Sequence, residues 1–396
     1  MSVLTSRPVL RWALPAGLVA VVLGGGALVT TMQASADVRL PPRSAAQLLV
    51  DVQTARLEGV SGTVVERADL GLIALPPGIG GGAAGSSGID LASLISGSNT
   101  MRVWYSGKDK ARVALIRSNG ESDIVHNGTD TWLWNSRDNT ATHYQESDKD
   151  ARPHPEAAPS GLPADLPKTP QEAADRVLAA LDPTTVVTTD SNALVAKHKA
   201  YQLVLRPRDT ASLVAEVRIA IDGDAHVPIQ LQVFAKGDPN KAAFEIGFTQ
   251  VSFKRPDDGV FAFNPPPGAK VTEGSDKAGA DKAGAPGGTR ELKPGNVTKP
   301  AGPAAEPKST VIGKGWTAVL VTRLPQDANA PRDDRAAAMQ GLLGRLPQVH
   351  GAFGTGRVLS AKLFTVLLLD DGRVLVGAVN QDALISAASN PAAALK

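Results

Sequence analysis

The chain has 396 residues, of which 42% are hydrophobic and only 4% aromatic. Its 41 Lys and Arg against 39 Asp and Glu leave a formal net charge of +2 and no basic block, which argues against a nucleic-acid partner. With no cysteine it has no disulfide, no zinc–cysteine site, no thiol chemistry and no lipidated Cys anchor.

Arg7 and Arg11 precede an uncharged run from Trp12 to Met32, and Ala34 and Ala36 are spaced as a signal-peptidase site before Asp37. This is the pattern of a basic n-region, an apolar h-region and an A-x-A cleavage site. The run, about 20 residues, is also long enough to span a bilayer. Residues 1–36 therefore read as a signal peptide or N-terminal membrane anchor, with the rest exported, because Arg7 and Arg11 favour the inner side.

Ser44 is placed to cap a helix running to about Arg56, with Ala45, Leu48, Leu49 and Val52 as its apolar stripe. A strand follows at about Gly62–Arg67. Residues 70–99 are rich in Gly, Ser and Pro at their centre yet keep Leu72, Ile73, Leu75, Leu91 and Leu94. Such a loop packs on its own domain or forms a lid over an apolar opening. Next comes a meander of five short β-rich runs between Thr100 and Gln145, separated by Asn119-Gly120, Asn127-Gly128 and Arg137-Asp138-Asn139. These separators tolerate the positive φ of tight hairpin turns, so the strands are antiparallel neighbours.

After a Pro-rich loop, "TPQEAADRVLAALDP" reads as a helix over about 170–181, capped by Thr169 with Pro170 at its first position. Four more strands alternate apolar and polar residues: Tyr201, Leu203 and Leu205; Val217, Ile219 and Ile221; Ile229, Leu231 and Val233; Phe244, Ile246 and Phe248. In the last of these the phase shifts to Val251 and Phe253, which predicts a bulge. Residues 274–309, with the imperfect repeat "DKAGA", form a flexible linker. Residues 310–396 hold a small α+β unit with a hairpin at Asp371-Gly372 and a closing helix "QDALISAA".

The chemistry search is negative. None of the six histidines forms an HExxH or a close metal pair, and His126 and His143 read as surface residues. "GIGGG", "GAFGTGR" and "VIGKG" lack the context of nucleotide or phosphate loops, and no GxSxG elbow occurs. No catalytic residue, metal ligand or cofactor is assigned, and the chain reads as a non-enzymatic binding protein.

The positive signal is Trp132 and Trp134, two of five tryptophans, set two residues apart so that both point to one face of a strand. A buried Trp removes on the order of 200 Å² from water, at most ~5 kcal/mol each. Residue statistics favour protein core over ligand as what covers them.

A helix, a strand and then "RVWYSGKDKARVALIRSNGESDIVHNGTDTWLWNSRDNTATHY", closing on "VSFKRPDDGVFAFNPPPGAKV", resemble the LolA-like lipoprotein carriers. They are also similar to the RseB (MucB)-like sigma-E regulatory proteins, which share that fold; the match covers roughly residues 40–272. The resemblance implies an α+β chain, a half-open antiparallel β-barrel of about eleven strands covered by helices, with an apolar concave side that takes acyl chains or lipids. On that reading residues 37–273 are the LolA/RseB-like half-barrel domain, and the helices over 44–57 and 170–181 are plugs. Met101 or Val103, Trp132, Trp134, Leu203, Leu205, Ile219, Leu231, Phe244 and Ile246 would line the cavity, beneath a lid carrying Leu72, Ile73, Leu75, Leu91 and Leu94. A one-residue slip of register would invert any of these faces.

Two functions follow as expectations. One is an extracytoplasmic lipid- or lipoprotein-binding carrier. The other is an envelope regulator, lipid-modulated, whose C-terminal unit or sheet edge binds an anti-sigma factor or another membrane partner.

Overall fold

The computed structural model describes residues 40–72, 96–117, 120–145, 174–175, 178–179, 183–274, 309–323, 341 and 343–390. The N-terminal run, residues 275–308 of the expected linker, and Ile73, Leu75, Leu91 and Leu94 of the expected lid lie outside the described residues; residues 274 and 309, the expected linker's ends, belong to strands, and Leu72 is described and half-buried. Among the described residues no helix is long and apolar enough to cross a membrane.

Helix α1 (Ala45–Thr54) starts with a full capping box: Ser44 Oγ accepts from the Gln47 N–H, and the Gln47 side chain accepts from the Ser44 N–H. The strands that follow are β1 (Gly59–Asp69), β2 (Ser96–Ser106), β3 (Lys110–Arg117), β4 (Gly120–Asn127), β5 (Asp130–Asn135) and β6 (Thr140–Gln145). Then come β7 (Thr185–Val195), β8 (His198–Pro207), β9 (Val214–Asp222), β10 (Pro228–Ala235), β11 (Asp238–Ser252) and β12 (Lys270–Gly274). All twelve form one unclosed sheet in the order β12-β6-β5-β4-β3-β2-β1-β11-β10-β9-β8-β7.

The meander lies where the Asn-Gly and Asp-Asn turns put it; Gly128 and Asn139 take φ of 67° and 48°. The predicted bulge is present: Thr63 pairs with Gln250 and Val64 with Phe248, leaving Thr249 as the extra residue. Two expectations need correction. The sheet has twelve strands rather than about eleven, and β12 pairs with β6 in parallel, so the sheet is not wholly antiparallel. The expected helix over 170–181 is described only at 174–175 and 178–179, which are helical, with Ala174 fully buried.

A second sheet has six strands: β13 (Ser309–Ile312), β14 (Val319–Arg323), β15 (Gln348–Gly351), β16 (Gly354–Ser360), β17 (Thr365–Leu369) and β18 (Arg373–Gly377). Their order is β13-β14-β18-β17-β16-β15. The Asp371-Gly372 hairpin joins β17 to β18, with Gly372 at φ 85°. Helix α2 (Gln381–Ala388), capped by the Asn380 side chain, packs Leu384 and Ala388 against Val321, Val358, Leu367 and Leu375.

The two sheets touch where β1 and β8 end. The Lys362 N–H donates to the Leu70 carbonyl at 2.8 Å, and the Lys362 and Lys241 ammonium groups hold Asp69 at 2.9 and 2.7 Å. Trp316 Nε1 donates to Thr185 Oγ1 at 2.7 Å, and the Leu213 and Asn380 N–H groups donate to the Ala378 and Ala211 carbonyls respectively.

Candidate functional site

Directly paired residues of neighbouring strands share a face, so the register sorts side chains without further assumption. One row runs Leu203, Ile219, Leu231, Ile246 and Glu66 from β8 to β1. A second runs Leu205, Val217, Val233, Phe244 and Ala68. Phe248, Val64, Met101 and Leu115 continue this face into β3, and Val103 and Val113 form the next row of the same strands. Eight expected lining residues therefore share one apolar face: Met101, Val103, Leu203, Leu205, Ile219, Leu231, Phe244 and Ile246.

At one end of this face α1 seals the sheet, with Leu48, Leu49 and Val52 packed on Tyr201, Leu203, Ile221, Val187 and Ile219. Further along, Val64, Met101, Val103, Leu115 and Ile246 make a second buried cluster, edged by half-buried Val113, Leu231, Phe244 and Phe248. Charged residues interrupt the face: Glu66, fully buried, lies between Ile246 and Asn99 of the adjoining strands, and Arg117, two residues on from Leu115 in β3, has its Nε and Nη2 buried.

Trp132 and Trp134 are not there. They pair with Val125 and Asp123 of β4, in the rows of Arg112 and Ala114 of β3, which face the opposite way from Val113 and Leu115. Leu133 is the β5 residue on the apolar face, paired with Ile124. The expectation failed by one residue of phase: the ring pair alternates with the residue that does point that way.

The chain itself covers the tryptophans. After β11, residues 253–268 cross this second face. Phe263 sits 5.3 Å from the Trp132 ring and 6.1 Å from that of Trp134, and Phe261 is 1% exposed. Polar ties pin the crossing segment: Arg255 Nε donates to Ser106 Oγ at 2.8 Å, Lys110 pairs with Asp258 at 2.8 Å, and Arg112 Nη1 donates to the Val260 carbonyl at 3.1 Å. The same Arg112 guanidinium forks onto buried Asp123, and Arg102 and Arg112 flank the Trp104 ring.

His143, expected at the surface, belongs to this face. Its side chain is 14% exposed; the ring stacks on Trp132 at 4.2 Å and 16°, with Nε2 2.8 Å from Asp130 Oδ1 and Nδ1 3.0 Å from Glu273 Oε2. Counting outward from the Arg137-Asp138-Asn139 turn sets His143 opposite Trp132, so the stack was readable once the hairpin was accepted. Glu273 was not, because β12 is unmarked in the sequence.

Two clefts lie elsewhere. One of about 460 Å³ is formed by Thr54–Glu58, Asp224–His226 and Phe253. The other, about 280 Å³, lies between the sheets and is lined by Thr184, Arg208, Lys314 and Trp316 among others. Among the described residues no group of three or more His, Asp or Glu is arranged to hold a metal ion.

No protein-family model matches the chain, and no curated protein matches it. Solved structures do. A chain of the MucA/MucB complex of Pseudomonas aeruginosa matches at 14% identity over 87% of this chain and 96% of its own, with a TM-score of 0.40. A LolA-superfamily protein of Nitrosomonas europaea matches at 11% identity over 56% of this chain and 99% of its own, TM-score 0.21. A lipoprotein-sorting protein domain of Vibrio parahaemolyticus matches at 9% identity over 55% and 97%, TM-score 0.20.

Proposed function

We propose that this chain is an extracytoplasmic, non-enzymatic binding protein that takes lipid or lipoprotein acyl chains on the apolar face of its large sheet, with residues 37–273 as the carrier-like unit. The observation that supports it most is the continuity of that face. Its apolar rows run from β8 to β3. They extend well past the strands on which α1 packs, and Val113, Leu231, Phe244 and Phe248 stay only half-buried there. A half-open barrel with this face inward is the shape the reading requires. Export is supported by Arg7, Arg11, the run to Met32 and the Ala34–Ala36 spacing.

Native mass spectrometry of the full chain tests it, after incubation with a diacyl phospholipid or a triacylated lipopeptide. A bound mass that persists in Trp134→Phe and is lost in the double variant Leu231→Ser, Phe244→Ser supports the reading. A lipid-free spectrum under every condition overturns it.

The regulator reading has its own observation. Val311 and Leu320 are paired neighbours on the face of the small sheet opposite its core, and are 60% and 44% exposed. Such a patch suits a protein partner, an anti-sigma factor or another envelope protein, with residues 310–396 as the recognition unit. Co-purification from membranes with wild type and with Leu320→Asp decides it: an unchanged set of partners removes this reading.

A further inference from the structure

We propose that His143 is a proton-operated latch that holds β12 on the edge of the large sheet. The strand it holds is lightly attached. β12 has five residues, four of them exposed, and pairs with β6 in parallel, unlike the other paired strands among the described residues. Val271 is 49% exposed, so β12 contributes little apolar burial. What precedes it is firmly anchored, by Phe261 in the core and Phe263 on the tryptophan pair. Between anchor and strand come Pro265, Pro266, Pro267 and Gly268, the last at φ 78°, which only glycine adopts freely. The segment is thus a fixed anchor, a turn and a short edge strand.

The latch lies across that edge. Among the described residues, Asp130 from β5 and Glu273 from β12 are the charged groups paired with the ring, one at each nitrogen, and Trp132 covers its plane. An ionised carboxylate accepts hydrogen bonds and donates none, whereas a neutral imidazole donates through one nitrogen only. Only the doubly protonated ring donates to Asp130 and Glu273 together, and that cation is also the form favoured over an indole face. When the ring loses a proton, one nitrogen turns a lone pair toward a carboxylate. Asp130 lies on the same hairpin as His143, while Glu273 is 72% exposed on an edge strand held otherwise by its backbone pairing to β6, so the Glu273 bond is the one that yields. Opening leaves the β6 edge unpaired, a template for another extended segment.

Hydrogen–deuterium exchange of the 270–274 amides in the full chain tests the latch between about pH 5.5 and 8, the span in which histidine side chains change charge. After correction for intrinsic exchange rates, wild-type protection of β12 falls about three- to tenfold as the pH rises, the size expected of one solvent-exposed, charge-assisted bond. Protection of β5 and β6 holds constant. Glu273→Gln, a surface change, and His143→Gln both flatten the β12 profile at its low value. A pH-independent wild type, a Glu273→Gln variant that keeps the wild-type slope, or a loss shared equally by β5 and β6 would each overturn the proposal.

Discussion

The two faces of the twelve-stranded sheet bury themselves by opposite means. The face of Met101, Leu203 and Ile246 is mainly aliphatic, with Tyr201, Phe244 and Phe248 among its rows, is sealed at one end by α1, and carries the charged side chains of Glu66 and Arg117. The other is aromatic and ionic: Trp104, Trp132 and Trp134 interleave with Arg112, Asp123 and His143, and the chain's own residues 253–268 close it. In a chain with 4% aromatics, the largest rings were spent where the protein covers itself. Rings with fixed stacking partners suit a permanent contact, whereas aliphatic rows with half-buried edges suit an apolar chain that comes and goes.

Trp132→Ala gives the largest effect expected from this comparison. The ring loses His143 on one side and Phe263 on the other, and half-buried Trp truncations fall at the lower end of the usual range, about 3 kcal/mol. The urea midpoint should fall accordingly with an unchanged slope. Lipid uptake by the protein that remains folded should match wild type. A folded Trp132→Ala protein that no longer takes up lipid would break the division between the faces.

How much of this was legible in the sequence depends on which physical signal each part carries. The meander announced itself through Asn-Gly turns, and the bulge at Thr249 through a break in alternation. Strand β7 did not, because its hairpin to β8 turns through Ala196 and Lys197 at φ of 50° and 70°, residues that give no turn signal. Strand β12 is too short and too exposed to show a periodic pattern. The face of Trp132 could not be read from β5 alone, since a strand half-buried on both sides shows no contrast: all six of its residues have intermediate exposure. Only the pairing to Val125, itself opposite Arg112, decides the matter.

Leu231→Ser probes the aliphatic face and comes next in size. It deletes a half-buried contact to the Met101 and Ile246 cluster, so about 1–2 kcal/mol of stability is expected to go. Lipid retention should drop by an order of magnitude, measured by displacement of a fluorescent fatty acid. Equal lipid retention in Leu231→Ser and wild type would argue that the face is ordinary core. Smaller still is Asp69→Asn, at the junction of the two sheets. Hydrogen bonds from Lys241, then Lys362, hold the Asp69 carboxyl below its usual 3.8. A depressed acid contributes stability above its unfolded value and loses it as the pH falls through the folded one. The contact is partly exposed, so less than about 1 kcal/mol is at stake. Acid unfolding of wild type and Asp69→Asn should converge at low pH, leaving lipid retention unchanged.

The smallest effect separates the faces by charge. Glu121 lies on the tryptophan face two residues from Asp123, and burial pushes its carboxyl above the usual 4.5, helped by a hydrogen bond to Asp123 and by that neighbour's charge. Asp123 Oδ1 is buried and, among the described residues, receives no N–H or O–H donor, so a protonated Glu121 is the group that can supply one. The folded chain thus binds this proton more tightly than the unfolded chain does. Stability should then decline as the pH rises from the unfolded value through the raised one, and level off above it. Glu121→Gln carries a donor at every pH and should flatten that decline, recovering a few tenths of a kcal/mol at neutral pH in so exposed a setting. Urea midpoints between about pH 4 and 8 measure it. Lipid retention should not follow the same titration, because Glu121 and the aliphatic rows lie on opposite sides of one sheet. A retention curve that tracks the Glu121 proton would show the two faces to be coupled through the strands between them.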